Sequence, residues 1–122
     1  MSAAPGPQPA PRLRAGVVGF GWAGQQHMEA YARHPDVELV AIAGLEDDLR
    51  ADLGQRYGID EPGRFRGYQD MIDSASLDVI SVATPTALHA PVALAALAAG
   101  VHVLSEKPLA ESVERARAMV AA

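Results

Sequence analysis

The chain has 122 residues, enough for one small domain, with 49% hydrophobic but only 5% aromatic residues and a formal net charge of -5. Its 10 Lys and Arg residues are scattered, which excludes the clustered basic face of a nucleic-acid binder. It has no cysteine, which excludes disulfides and thiolate metal sites, and no apolar run approaches the roughly 20 residues of a membrane span. A cytoplasmic protein is expected, with no metal and with neither nucleic acid nor membrane as partner.

Residues 1–12 carry Pro5, Pro7, Pro9 and Pro11 among Ala, Gly and Gln, and read as a disordered, partly polyproline-II leader. The domain is expected over residues 13–122. Leu13 to Val18 predicts a strand apolar on both faces, and Trp22 to Arg33 a helix stopped by His34-Pro35. Val37 to Ala43 predicts a second strand. A helix follows from Asp47 to Tyr57, with Leu49 and Leu53 one turn apart and Gly58 as its cap. A short strand is expected around Phe65 and a short helix from Gln69. Leu77 to Ala83 predicts a strand, Leu88 to Ala99 an alanine-rich helix ended by Gly100, and Val101 to Leu104 another strand. A last helix runs from Ser112, a plausible N-cap. Strands alternating with helices through short loops predict an α/β fold, a doubly wound parallel sheet.

Ligands of such sheets gather at the carboxyl ends of the strands, and the unusual residues fall there. The first strand runs into Gly19-Phe20-Gly21-Trp22-Ala23-Gly24, a GxGxxG at a strand-to-helix junction. In a dinucleotide site Gly19 allows the tight turn, Gly21 admits a pyrophosphate, and Gly24 lets helix and strand pack closely, with the phosphates at the helix N-terminus. A later strand ends in Ala83-Thr84-Pro85, and the last in Ser105-Glu106-Lys107-Pro108. Parallel strands bring these three loops to one rim, which reads as a cofactor crevice.

These segments, with His89 four residues after Pro85 and the run Gly100 to Leu109, resemble the Gfo/Idh/MocA oxidoreductases, which include glucose–fructose oxidoreductase and inositol 2-dehydrogenase. The resemblance covers roughly Leu13 to Ala122. It implies a Rossmann-like cofactor domain and hydride transfer between nicotinamide and a hydroxyl-bearing carbon of a sugar, polyol or similar small molecule. Lys107 matches the family's lysine beside the nicotinamide, the one catalytic candidate. Pro108 matches a proline usually held as a cis peptide. His89 matches a position near the cofactor loop, where a local hydrogen-bonding role is equally compatible. His27 and His102 are read as lying on element faces without chemistry, His34 as a helix cap, and Trp22 either as a shield for the pyrophosphate or as packing on the sheet.

Two departures stand out. The acid expected at the end of the second strand, which would bind the ribose 2′-hydroxyl of NAD, is replaced by Gly44. That permits NADP as well as NAD and tilts the reading towards NADP, although Glu46 and Asp47 oppose an added phosphate and Arg50 helps only from the right helix face. The second departure is length: family members continue into an α+β domain that carries most substrate contacts and the oligomer interface. Three readings follow: the cofactor domain of an oxidoreductase, a non-catalytic NAD(P)-binding or regulatory module, or an inactive remnant. A small-molecule substrate is expected only with the further domain, and oligomers through an exposed sheet edge.

Overall fold

The structure, a computed structural model, describes residues 11–122; all of the expected leader but Pro11 and Arg12 lies outside the described residues. Arg12 donates from Nη2 to the Val37 carbonyl at 2.6 Å, fastening the start of the described chain to the second strand.

Among the described residues five strands and five α-helices alternate: β1 (Leu13–Val18), α1 (Trp22–Arg33), β2 (Val37–Ala43), α2 (Asp47–Arg56), β3 (Arg64–Phe65), α3 (Tyr68–Ser74), β4 (Val79–Val82), α4 (His89–Ala98), β5 (His102–Ser105) and α5 (Val113–Ala121). The strands form one sheet in the order β3-β2-β1-β4-β5, every pair parallel. From β1 the chain steps outward to β2 and β3, then returns to β4 on the other side of β1. This reversal is the topological switch point at which open α/β sheets bind ligands.

The sheet is buried on both faces because side chains alternate along its strands. Val17 joins Met28, Leu39, Ile42 and Leu53 beneath α1 and α2, while Val18 joins Met71, Ile72, Ile80, Val82 and Val92 beneath α3 and α4. Ala90, Ala93 and Met119 fasten α5 to α4. Met28, Ile42, Leu53 and Ile80 have no exposed surface, and each contributes about 1.5–3 kcal/mol by burial. An exposed pair such as Arg33–Glu29 contributes about 0–1 kcal/mol, so the two-sided core holds the fold.

Helix ends follow the local chemistry. Gly58 and Gly100, with φ of 66° and 78°, close α2 and α4 in the left-handed conformation that glycine adopts without a Cβ clash. Ser112 Oγ accepts the Arg115 N–H at 3.2 Å and caps α5. The expected strand from Leu77 forms its ladder only from Val79. Leu77 packs in the core, and the Asp78 carboxylate takes the Arg14 N–H at 2.8 Å, while the Asp78 backbone still bonds to Arg14 O at 2.8 Å and to His102 N–H at 3.0 Å.

Candidate functional site

The strand ends come together through backbone bonds that carry each ladder one residue into its loop. Gly44 N–H donates to Phe65 O at 3.0 Å, Gly19 to Ala43 O at 3.0 Å, Ala83 to Val18 O at 2.9 Å and Glu106 to Val82 O at 3.0 Å. The loops after β1, β2, β4 and β5 therefore leave the sheet at one level. Above β1, between the glycine loop and the β4 loop, lies a cleft of about 730 Å³. Gly19, Phe20, Gly21, Trp22, Ala23, Gly44, Ala83, Thr84 and Pro85 line it, as do Glu46, Arg66, Tyr68 and Leu88.

The three glycines of the loop differ in what fixes them. Gly19 has φ 109°, and a Cβ there would stand 2.3 Å from the Ala83 carbonyl oxygen. A Cβ on Gly24 would stand 2.0 Å from the Gly19 carbonyl oxygen, so α1 approaches its own loop closely. A Cβ on Gly21 would meet nothing within 4 Å, and the residue is exposed beside the cleft. Gln25 Nε2 donates to Phe20 O at 2.8 Å and clasps the turn from inside.

α1 begins without a side-chain cap and has no acidic residue in its first turn. Its first N–H groups and the positive end of its dipole face the cleft mouth, which favours an anion. α2, by contrast, opens with Asp47 and Asp48 in its first turn. Thr84 lines the cleft, and its hydroxyl oxygen is buried with no hydrogen-bond partner among the described residues. Trp22 is 79% exposed at the rim, so it lines the cleft and does not pack on the sheet.

Gly44 has a packing cause that the sequence did not reveal. A Cβ there would fall 2.4 Å from the Phe20 ring, which occupies the place a larger residue would need. Arg50 does not line the cleft: it donates to Gly44 O at 2.9 Å and to Asp47 Oδ1 at 2.7 Å. The cation on the wall is Arg66, after β3, whose one ion pair among the described residues is a 3.5 Å contact to Asp47. Sequence reading passed over Arg66 because β3 is two residues long and gives little periodic signal.

His89, Glu106, Lys107 and Pro108 lie outside the cleft lining, as does Gly24. His89 is 2% exposed, with Nδ1 2.7 Å from Pro108 O and Nε2 2.8 Å from Thr84 O, so its ring bridges the loops after β4 and β5. The Lys107–Pro108 peptide is cis, and Lys107 is exposed with no ion pair among the described residues. Glu106 meets His27, Nε2 to Oε1 at 2.7 Å. Hydrogen bonding from His27 holds the Glu106 carboxyl below its ordinary pKa, with the His27 charge and the Lys107 backbone and ammonium assisting. His27, expected on a face without chemistry, is thus tied into the β5 loop. His34 caps α1 through its backbone N–H to Tyr31 O, and His102 is exposed on β5. A second cleft, of about 320 Å³, includes Arg14, already committed to the Ser76 and Ala75 carbonyls at 2.8 Å each.

Among the described residues no helix is long and apolar enough to cross a membrane. The Gfo/Idh/MocA profile, an oxidoreductase family with an NAD-binding Rossmann fold, matches residues 13–122. The chain is 35% identical to the levoglucosan dehydrogenase of Pseudarthrobacter phenanthrenivorans over 115 residues, 88% of this chain and 29% of that protein. It is 37% identical to the inositol 2-dehydrogenase of Rubrobacter xylanophilus over 112 residues, 91% of this chain and 31% of the relative. The WlbA dehydrogenase of Bordetella pertussis, solved with NADH and UDP-GlcNAcA, superposes with a TM-score of 0.83 at 32% identity, covering 90% of this chain and 34% of that one. The chain spans about a third of the length of the proteins it matches.

Proposed function

The chain belongs to the Gfo/Idh/MocA oxidoreductase family, and from that premise we propose that it binds NAD(P) in the cleft above β1 and serves hydride transfer to or from a hydroxyl-bearing carbon of a sugar or polyol. The observation that carries the proposal is the uncapped start of α1 behind Gly21, whose side-chain direction is open. Gly19 and Gly24 are fixed by backbone contacts within the fold, whereas Gly21 is free for close approach by a ligand. The first N–H groups of α1 hold the pyrophosphate. Trp22 and Leu88 keep water from the rim.

A nicotinamide held there would supply the hydride chemistry. Beside it, Lys107 holds the reacting hydroxyl and favours negative charge developing on that oxygen. Residues 13–122 form the cofactor domain, and the substrate is held together with a further domain of the kind the family carries.

The form of the cofactor is NADP in this reading. Gly44 places no carboxylate at the end of β2, and Arg66 offers the cleft a guanidinium that can pair with a 2′-phosphate. The Glu46 carboxylate on the same wall acts in the opposite sense, so the preference is modest.

Trp22 is the single tryptophan and lines the cleft, which makes it a built-in reporter. NADPH added to the chain is expected to quench its emission saturably, with affinity about tenfold above that for NADH, a difference of about 1.4 kcal/mol that Arg66→Ala abolishes. No saturable quenching by either nucleotide would overturn the binding site. Equal affinities in the unaltered chain would overturn only the NADP preference.

A further inference from the structure

Between α1 and the sheet runs a chain of polar groups that the cofactor cleft does not use. Tyr31 Oη lies 2.6 Å from Ser81 Oγ, Ser81 Oγ lies 2.8 Å from His27 Nδ1, and His27 Nε2 lies 2.7 Å from Glu106 Oε1. Ser81 has no exposed surface, and the His27 side chain is 14% exposed. Leaving such groups unpaired would cost about 1–3 kcal/mol each, so the donor directions are constrained. The ionised Glu106 only accepts, so His27 Nε2–H donates to it. With His27 neutral, Nδ1 accepts the Ser81 hydroxyl and Ser81 Oγ accepts the Tyr31 hydroxyl; with His27 protonated, Nδ1–H donates to Ser81 Oγ, whose hydroxyl donates to Tyr31 Oη. Every link is satisfied with His27 neutral or protonated, and burial keeps the Tyr31 phenol protonated by pushing its pKa up.

The connectivity hydroxyl–imidazole–carboxylate is that of a hydrolytic triad, but a serine with no exposed surface cannot reach a substrate. What the chain does reach is the residue before Lys107. Lys107 stands between two anchored neighbours: Glu106, bonded to His27 on the α1 side, and Pro108, whose carbonyl faces His89 on the α4 side. Lys107 itself is exposed and makes no ion pair among the described residues, so its position rests on its neighbours.

We propose that His27 is a positioning residue for Lys107, acting through Glu106 and held in a single orientation by Ser81 and Tyr31. This rests on the reading of Lys107 as the group beside the nicotinamide. Without the His27 contact the half-exposed Glu106 side chain turns to solvent, and the backbone of the Lys107 turn opens locally while the sheet below stays intact.

Hydrogen exchange of the whole chain, resolved by fragment mass spectrometry, tests this. His27→Leu is expected to speed exchange at the residue 106 amide, which bonds to Val82 O at 3.0 Å, by about tenfold, with β1 and β4 amides nearly unchanged. His27→Gln is expected to restore most of the protection, because its amide N–H can donate to Glu106 while its carbonyl accepts from Ser81. Glu106→Ala, on a partly exposed side chain, removes the acceptor and gives the same local opening should the leucine variant not fold. Unchanged exchange at the residue 106 amide in His27→Leu and Glu106→Ala, a rise spread equally over the sheet, or a His27→Gln variant no better than leucine would each overturn the proposal. A chain that binds no NAD(P)H, yet shows the local opening, would refute the cofactor reading and leave the positioning contact standing.

Discussion

Glu106 connects the chemistry of one carboxyl to the stability of the domain. Its folded pKa is depressed, chiefly by the hydrogen bond from His27, so its contribution is present above the ordinary carboxyl value of 4.5 and is lost as pH falls through the lower folded value. Urea midpoints are expected to fall on acidification below about pH 4.5, and Glu106→Gln, with no proton to gain, flattens that part of the acid limb and lowers the midpoint at neutral pH. Parallel curves for the two proteins would show that the pair contributes nothing. Residue-level meaning was unevenly legible in the sequence. The glycine loop could be read from its spacing, but Gly44 could not, because the Phe20 ring that excludes a side chain there is 24 positions away. His27 looked idle for the same reason: its partners Ser81 and Glu106 lie 54 and 79 residues on, and no local pattern marks such pairs.

At the scale of elements, α1 shows how one helix serves packing and site together. Its inner stripe buries Met28 and Gly24, and its first turn opens on the cleft without a cap. Gly24→Ala would press a Cβ against the Gly19 carbonyl oxygen, backbone that cannot swing aside, and is expected to cost about 2–3 kcal/mol. Gly21→Val, pointing into open space from an extended N-cap, is expected to stay within about 0.5 kcal/mol of the unaltered chain. Chemical denaturation compares the two, and equal losses would contradict this division of labour between glycines. The strands and helices themselves were legible because apolar periodicity and Gly or Pro punctuation agree along this chain. Boundaries shifted where side chains took over backbone partners, as Asp78 does before β4. They shifted also where the Leu88 N–H bonds back to Pro85 O at 2.9 Å and makes a tight turn ahead of α4.

For the whole molecule, the strand order β3-β2-β1-β4-β5 sets the switch point beside β1 and so decides where every unusual residue meets. Alternation of strands and helices predicted a parallel sheet and a common rim. It could not predict which of the rim residues share the cleft: Thr84 and Arg66 line it, whereas Lys107 sits on the neighbouring β5 loop between the two histidine contacts. The central claim is that this rim holds a dinucleotide with its pyrophosphate against Gly21. Calorimetric titration of the chain and of Gly21→Val with NADPH tests it most directly, with circular dichroism confirming that both are folded. The account predicts one nucleotide per unaltered chain and an affinity at least about tenfold weaker in the variant, a loss of about 1.4 kcal/mol or more. Equal affinities in two equally folded proteins would contradict it.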